Sequence, residues 1–95
     1  MTKTYRPIVP SQLARELNAA FASGEVQTIC KAIGDALQDF NISEISKQAG
    51  LERTSIYRAF GNERHPNFST VLRVLTAMGL QLHVKPIPRS SVAPR

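Results

Sequence analysis

Apolar residues recur at spacings of three and four along five segments of the chain, which is the period of an amphipathic α-helix. The segments read SQLARELNAAFASG, EVQTICKAIGDALQDFN, SEISKQA, RTSIYRAF and FSTVLRVLTAMG. The predicted inward faces of four of them are Leu13, Leu17, Ala20 and Phe21; Val26, Ile29, Cys30, Ile33, Leu37 and Phe40; Ile45 and Ala49; and Phe68, Val71, Leu72, Leu75 and Met78. The pattern predicts a mostly α-helical domain with five helices.

Polar residues and glycines predict where these helices begin and end. The predicted N-caps are Ser11, Ser43 and Asn67, the predicted stops are Gly24, Gly50 and Gly79, and Asn41 is predicted to end the second helix in a left-handed conformation. After the fifth helix the period changes, because apolar and polar residues alternate in LQLHVKP. Alternation of this kind is typical of a β-strand. The segments divide the chain into an extended arm (1–10), a helical domain with its strand (11–86) and a flexible tail (87–95).

Composition limits the function. The chain has 95 residues, 42% of them hydrophobic, which suits one domain with a packed core. Twelve Lys and Arg residues against seven Asp and Glu residues give a formal charge of +5, which suits a polyanionic partner. A single cysteine excludes a disulfide framework. The sequence shows neither a signal peptide nor a membrane span, so we expect a cytoplasmic protein.

The stretch ISEISKQAGLERTSIYRAFG places Gly50 between two short helices, as in a helix-turn-helix. At about 100° per residue, the apolar and polar residues of the second helix fall on opposite sides. The apolar side holds Ile56, Ala59 and Phe60, and the polar side holds Arg53, Thr54, Tyr57 and Arg58. A face with this composition can enter the major groove and contact base edges.

Polar residues around this corner are candidate phosphate contacts, which position a protein on DNA without reading sequence. They are Ser43, Lys47, Ser55, Asn62, Arg64 and Asn67. Ser43 is of interest because the free N–H groups at a helix start favour an anion. Glu52 counts against DNA binding, since it places a negative charge next to the proposed reading helix. The corner can also be purely structural, because glycine corners and exposed arginines are common in small helical domains.

The segment ISEISKQAGLERTSIYRAFGNERHPNFSTVLRVLTAMGLQLHV resembles the Xre/Cro-type helix-turn-helix of addiction-module antidote proteins, the antitoxins of HigBA-like toxin–antitoxin pairs. The resemblance covers about residues 13–86 and is carried by AGL, YRAF, NFSTVLRVLTAMGL and the LxLxV ending. It implies a DNA-binding antitoxin that neutralises a RelE/ParE-like toxin, usually an RNase, and represses its own operon. Glu52 and the loop GNERHPNF depart from the family pattern, and these departures concern the phosphate contacts more than the fold.

The predicted strand needs a partner, because a single strand leaves backbone groups unpaired along both edges. Pairing with a second copy about a twofold axis is the favoured interpretation, and the strand residues involved would be Leu80, Leu82, His83 and Val84. Strand addition to a toxin and pairing with the chain's own TYRPIV arm stay open. A homodimer predicts a palindromic operator. Residues 1–24 are then the natural toxin contact, since the corner does not use them.

The sequence is also compatible with two other functions. One is a stand-alone helix-turn-helix repressor without a toxin, and the other is a protein-interaction module with little DNA binding. We do not expect an enzyme, because the sequence offers no paired-carboxylate cleft, no nucleophile set and no glycine-rich phosphate loop. We expect no cofactor and no metal, because His65 and His83 lack companion ligands.

Overall fold

The computed structural model describes residues 8–61 and 65–87, and this part of the chain contains five α-helices and no strand. The helices are α1 (Pro10–Ala22), α2 (Val26–Leu37), α3 (Ile42–Ala49), α4 (Arg53–Ala59) and α5 (Phe68–Ala77). The prediction of a mostly helical chain with five helices is therefore confirmed for the described residues.

One apolar core joins the five helices, with α1 packed against α2 and with α3 packed against both α4 and α5. Its most deeply buried side chains are Ile33, Ile56, Val74 and Leu75, which come from α2, α4 and α5. Burying each of these side chains stabilises the folded state by about 1.5–3 kcal/mol relative to leaving it exposed. The core therefore fixes α4 through Ile56, and it leaves the opposite side of α4 in solvent.

The predicted inward faces of α2 and α5 need correction at their first residues. Val26 is 49% exposed and Phe68 is 67% exposed, and Leu72 on α5 is also exposed. A helical side chain leans towards the N-terminus, so the first residue of a helix projects beyond the turns that face the core. Val74, which the sequence pattern did not single out, is fully buried instead.

The start of α1 differs from the prediction. The helix begins at Pro10 with Val9 as its N-cap, so Ser11 lies inside the first turn and caps nothing. Proline suits the first helical position because its fixed φ matches the helix and its missing N–H would be unpaired there anyway. Pro10, predicted to end the arm, therefore belongs to α1.

The start of α3 is also different, because Asn41 and not Ser43 is the N-cap. Asn41 has a φ of −76°, and its Oδ1 accepts hydrogen bonds from the backbone N–H groups of Ser43 at 3.0 Å and Glu44 at 3.3 Å. The left-handed conformation predicted for Asn41 is therefore wrong. The predicted N-cap of α5 is confirmed, since Asn67 Oδ1 accepts from the N–H of Thr70 at 2.8 Å.

The helix stops predicted at Gly24, Gly50 and Gly79 are confirmed by positive φ angles of 70°, 70° and 86°. Residues 81–87 follow the last of these stops and have no regular secondary structure in the single chain. All of them are exposed, and Val84 is completely exposed. The predicted strand is thus not formed within the described residues of one copy, and its pairing stays a prediction. Most of the predicted arm and tail lies outside the described residues.

Candidate nucleic-acid interface

The corner between α3 and α4 is a three-residue turn formed by Gly50, Leu51 and Glu52. Gly50 adopts φ 70° and ψ 33°, and the N–H of Leu51 donates to the carbonyl oxygen of Ser46 at 3.0 Å. A side chain in this left-handed conformation costs about 1–2 kcal/mol, so glycine suits the position. The structure therefore has a three-residue turn with a left-handed glycine at the position where the sequence predicts a corner.

The two sides of α4 separate as the helical arithmetic predicts. Ile56 is fully buried and Phe60 is buried, whereas Tyr57 is 63% exposed. The remaining residues predicted on the outer face, Arg53, Thr54 and Arg58, are exposed together with Ser55. The structure thus brings the four residues predicted to read bases onto the solvent side of one short helix.

The charges on this face are not neutralised locally. Neither the Arg53 side chain nor the Arg58 side chain forms a hydrogen bond or ion pair with another residue in the ranges 8–61 and 65–87. Glu52 is exposed as the N-cap of α4, and its side chain makes no capping hydrogen bond. A carboxylate there is favoured by the positive end of the helix dipole. Both guanidinium groups are consequently available to an anionic partner.

The predicted phosphate contacts have different surroundings. Lys47 is exposed in the last turn of α3, and Ser55 is exposed on α4. Asn67 uses its side-chain oxygen as a cap, which leaves its amide N–H₂ as a donor. The N–H group of Ser43 already donates to Asn41, so only the Ser43 hydroxyl can serve an anion. Asn62 and Arg64 lie outside the described residues.

A groove of about 590 Å³ adjoins the outer face of α4, a feature that the sequence reasoning missed. Tyr57 of α4 and Phe60, which directly follows α4, form one wall, and Lys31, Gly34 and Asp35 of α2 form another. Lys31 and Asp35 form an exposed ion pair at 3.0 Å. The groove depends on how α2 packs beside α4, so no spacing in the sequence signals it.

Charge is distributed unevenly along the described chain. Residues 8–41 contain four acidic and two basic side chains, whereas the described residues from 42 to 87 contain two acidic and five basic ones. The part that includes the corner is therefore basic, and the part formed by α1 and α2 is acidic. A region with excess positive charge attracts polyanions through long-range electrostatics.

The described ranges also bear on three other kinds of feature: metal sites, membrane-spanning helices and a reactive cysteine. No three His, Cys, Asp or Glu side chains in residues 8–61 and 65–87 are arranged to hold a metal ion. None of the helices described has the length and apolar character needed to cross a bilayer. Cys30 is buried in the core, and this burial raises the pKa of its thiol.

Comparison with known proteins connects this fold to a family. A family model described as "Probable addiction module antidote protein" matches residues 10–86. A protein of Haemophilus influenzae, described as "Uncharacterized protein", is 33% identical over 69 residues, which cover 73% of this chain and 71% of that protein. No solved structure matches the chain.

Proposed function

The chain belongs to the family described as "Probable addiction module antidote protein", and we propose that it neutralises a RelE/ParE-like toxin and represses its own operon by binding DNA. The family match over residues 10–86 supports the antidote role. The exposed basic face of α4 supports DNA binding. The helix is anchored in the core by Ile56, and its opposite side faces solvent. We further propose that the protein acts by binding and has no enzymatic activity.

Base reading is assigned to the outer face of α4. Arg53 and Arg58 are each able to donate two hydrogen bonds to guanine O6 and N7. Thr54 and Tyr57 are placed to contact a thymine methyl group or a phosphate. Because α4 has only seven residues and follows a tight corner, these four side chains enter the groove as one group. Sequence preference in the operator should therefore depend on both arginines.

Phosphate contacts would hold this helix in register. Lys47, Ser55 and Asn67 keep side-chain donors in solvent around the corner. Ser43 contributes its hydroxyl in this proposal, and Asn62 and Arg64, which lie between α4 and α5 in the sequence, extend the set. Such contacts supply affinity without sequence information and weaken as salt rises, since binding releases counterions from DNA.

A second copy of the chain completes the proposed repressor. In one copy the N–H of Leu80 donates to the carbonyl oxygen of Leu75, but residues 81–84 form no regular secondary structure. Leu82, 39% exposed, and Val84 present apolar surface. Pairing the two segments about a twofold axis satisfies the edge of each segment that faces the other copy. The two α4 helices would then lie about 34 Å apart and read a palindromic operator.

The antidote role is tested in cells that produce the RelE/ParE-like protein of the same operon. Co-production of this chain should restore growth and stop RNA cleavage, and a reporter fused to the operon's promoter should fall in activity. Growth rescue without repression would support the protein-interaction module, which the exposed carboxylate of Glu52 favours. Repression without rescue would instead indicate a stand-alone repressor and would contradict the antidote role.

A further inference from the structure

One polar face of α2, here called the α2 stripe, borders the groove beside Tyr57. It consists of Lys31, Asp35 and Gln38, which all line that groove and are all exposed. Residues four and three apart in a helix lie on one side of it, so these three side chains form a continuous row. The outer face of α4 and the α2 stripe therefore border one groove from opposite walls.

The packing of α2 against the end of α4 holds the α2 stripe in this place. The heavy atoms nearest to a Cβ built on Gly34 belong to Phe60, so the α2 backbone lies directly against that residue. Lys31 stands about one turn before Gly34, and Tyr57 stands about one turn before Phe60. At about 100° per residue, Lys31 and Gln38 lie within about 60° of Gly34 around α2. The α2 stripe is thus fixed beside the exposed residues of α4.

The position of the α2 stripe suits a contact with the DNA backbone. An α-helix with its side chains is about 10–12 Å wide, and the major groove is about 12 Å wide. A helix that lies in the groove is therefore bordered on both sides by sugar–phosphate backbone, and elements packed beside that helix come close to phosphates. The phosphate contacts proposed above come from α3, α4 and the residues between α4 and α5, whereas none comes from α2.

An ion pair within the α2 stripe controls its only cation. Lys31 Nζ lies 3.0 Å from Asp35 Oδ2, and the two side chains are 72% and 61% exposed. Exposed ion pairs contribute little to stability, because water solvates both partners well. Lys31 therefore loses little when it exchanges the carboxylate for a phosphate oxygen. Asp35 opposes that exchange, since it attracts the ammonium and repels the phosphate.

We propose that Lys31 binds a backbone phosphate of the operator beside α4, and that Asp35 limits the strength of this contact. In the free chain the carboxylate of Asp35 holds the ammonium along α2, and on DNA the ammonium moves to the phosphate. The contact adds affinity without sequence information. This inference rests on the proposed DNA binding and extends the interface to a third helix.

Fluorescence anisotropy with the full chain tests the contact, using the labelled upstream duplex and a random duplex over a salt series. Lys31→Gln should weaken binding to both duplexes about three- to tenfold, so the preference for the operator stays the same. The slope of log affinity against log salt should fall by about one for each chain bound, because one phosphate is no longer neutralised. Circular dichroism should show an unchanged fold, since Lys31 is exposed.

The neighbouring carboxylate should have the opposite effect on DNA affinity. Asp35→Asn keeps the size of the side chain and removes its charge, so it should strengthen binding to both duplexes about two- to fivefold. The gain should become smaller when Lys31→Gln is also present, because the carboxylate then has no ammonium to hold. Comparing the double variant with the two single variants measures this coupling.

Matched controls change the same charges on α1. Arg15→Gln removes a cation and Glu16→Gln removes a carboxylate, and both residues are exposed and lie outside the groove. Each control should change DNA affinity by less than about twofold, since salt screens exposed charges that lie beyond about 8–10 Å from the phosphates.

The outcomes separate this inference from the proposed function. Tight operator binding by the wild type, with equal affinities for Lys31→Gln and Arg15→Gln, would remove α2 from the interface and leave the repressor proposal intact. Loss of the operator preference in Lys31→Gln would also overturn the phosphate contact, because a phosphate contact does not distinguish sequences. An equal gain from Asp35→Asn with and without Lys31 would contradict the role given to Asp35. A wild-type chain that binds neither duplex would overturn the inference and the proposed DNA binding together.

Discussion

A Cβ atom added to Gly34 would lie 3.2 Å from the backbone carbonyl oxygen of Phe60. The glycine belongs to α2, and Phe60 directly follows the last turn of α4. A real Cβ rarely comes this close to another heavy atom, so the missing side chain lets α2 contact the end of the proposed reading helix. The position of α4 in the domain therefore depends on a glycine that costs α2 some helix propensity.

Valine at position 34 tests this contact. Gly34→Val should lower the free energy of unfolding by about 1–3 kcal/mol, because the extra methyl groups must displace the end of α4. Urea denaturation followed by circular dichroism measures the change. Gln27→Val places the same side chain at an exposed position of α2 and should cost less than about 1 kcal/mol. Equal losses in the two variants would show that the contact is not tight.

The corner glycine gives a second prediction. Gly50→Ala should destabilise the protein by about 1–2 kcal/mol, because alanine is strained at a φ of 70°. No heavy atom lies within 4 Å of a Cβ added there, so the cost comes from the backbone alone. Gly50→Asn should cost less, since asparagine tolerates this conformation. Thermal unfolding compares the variants, and an alanine variant as stable as the asparagine variant would contradict the left-handed corner.

Cys30 links stability to pH. Burial raises the pKa of its thiol above the ordinary value, so the folded chain keeps the proton at pH values where the unfolded chain loses it. The resulting stability is complete below the unfolded pKa, about 8.5, and falls as pH rises through that value towards the folded pKa. The free energy of unfolding should decline more steeply between pH 8 and pH 10 in the wild type than in Cys30→Ala. Parallel curves would contradict this prediction.

Proline at position 84 tests the proposed strand pairing. Val84→Pro removes a backbone donor from the segment and should shift the protein from dimer to monomer in light scattering coupled to gel filtration. Its fold should be unchanged, because Val84 is completely exposed in one copy. Ile87→Ala removes apolar surface outside the predicted strand and should remain dimeric. A dimer that persists in Val84→Pro would place the copy–copy contact elsewhere.

The spacing of apolar residues correctly predicted the features that depend on one helix alone. It gave five helices, the buried side of α4 at Ile56 and the exposed side at Tyr57, because these follow from about 100° per residue. It failed at the start of α3, where Asn41 and Ser43 are both good caps two residues apart. Only the tertiary path of the chain decides which of them reaches the free N–H groups.

Features that depend on how two helices pack together could not be predicted from the sequence. The groove beside Tyr57 arises from the distance between packed helices. The exposure of Phe68 and the burial of Val74 depend on where α5 crosses the core. Strand formation at Val84 involves a second chain in the proposed dimer, so no single-chain pattern decides it.

Operator binding is the central proposal, and fluorescence anisotropy with a labelled duplex from directly upstream of the gene tests it most directly. The wild type should prefer this duplex over a random one, and its affinity should fall steeply as salt rises. Arg53→Ala and Arg58→Ala should each weaken operator binding by about 1–3 kcal/mol, while Arg15→Ala on α1 should not. Equal affinity for random duplex, or unchanged binding in both α4 variants, would contradict the proposal that α4 reads DNA.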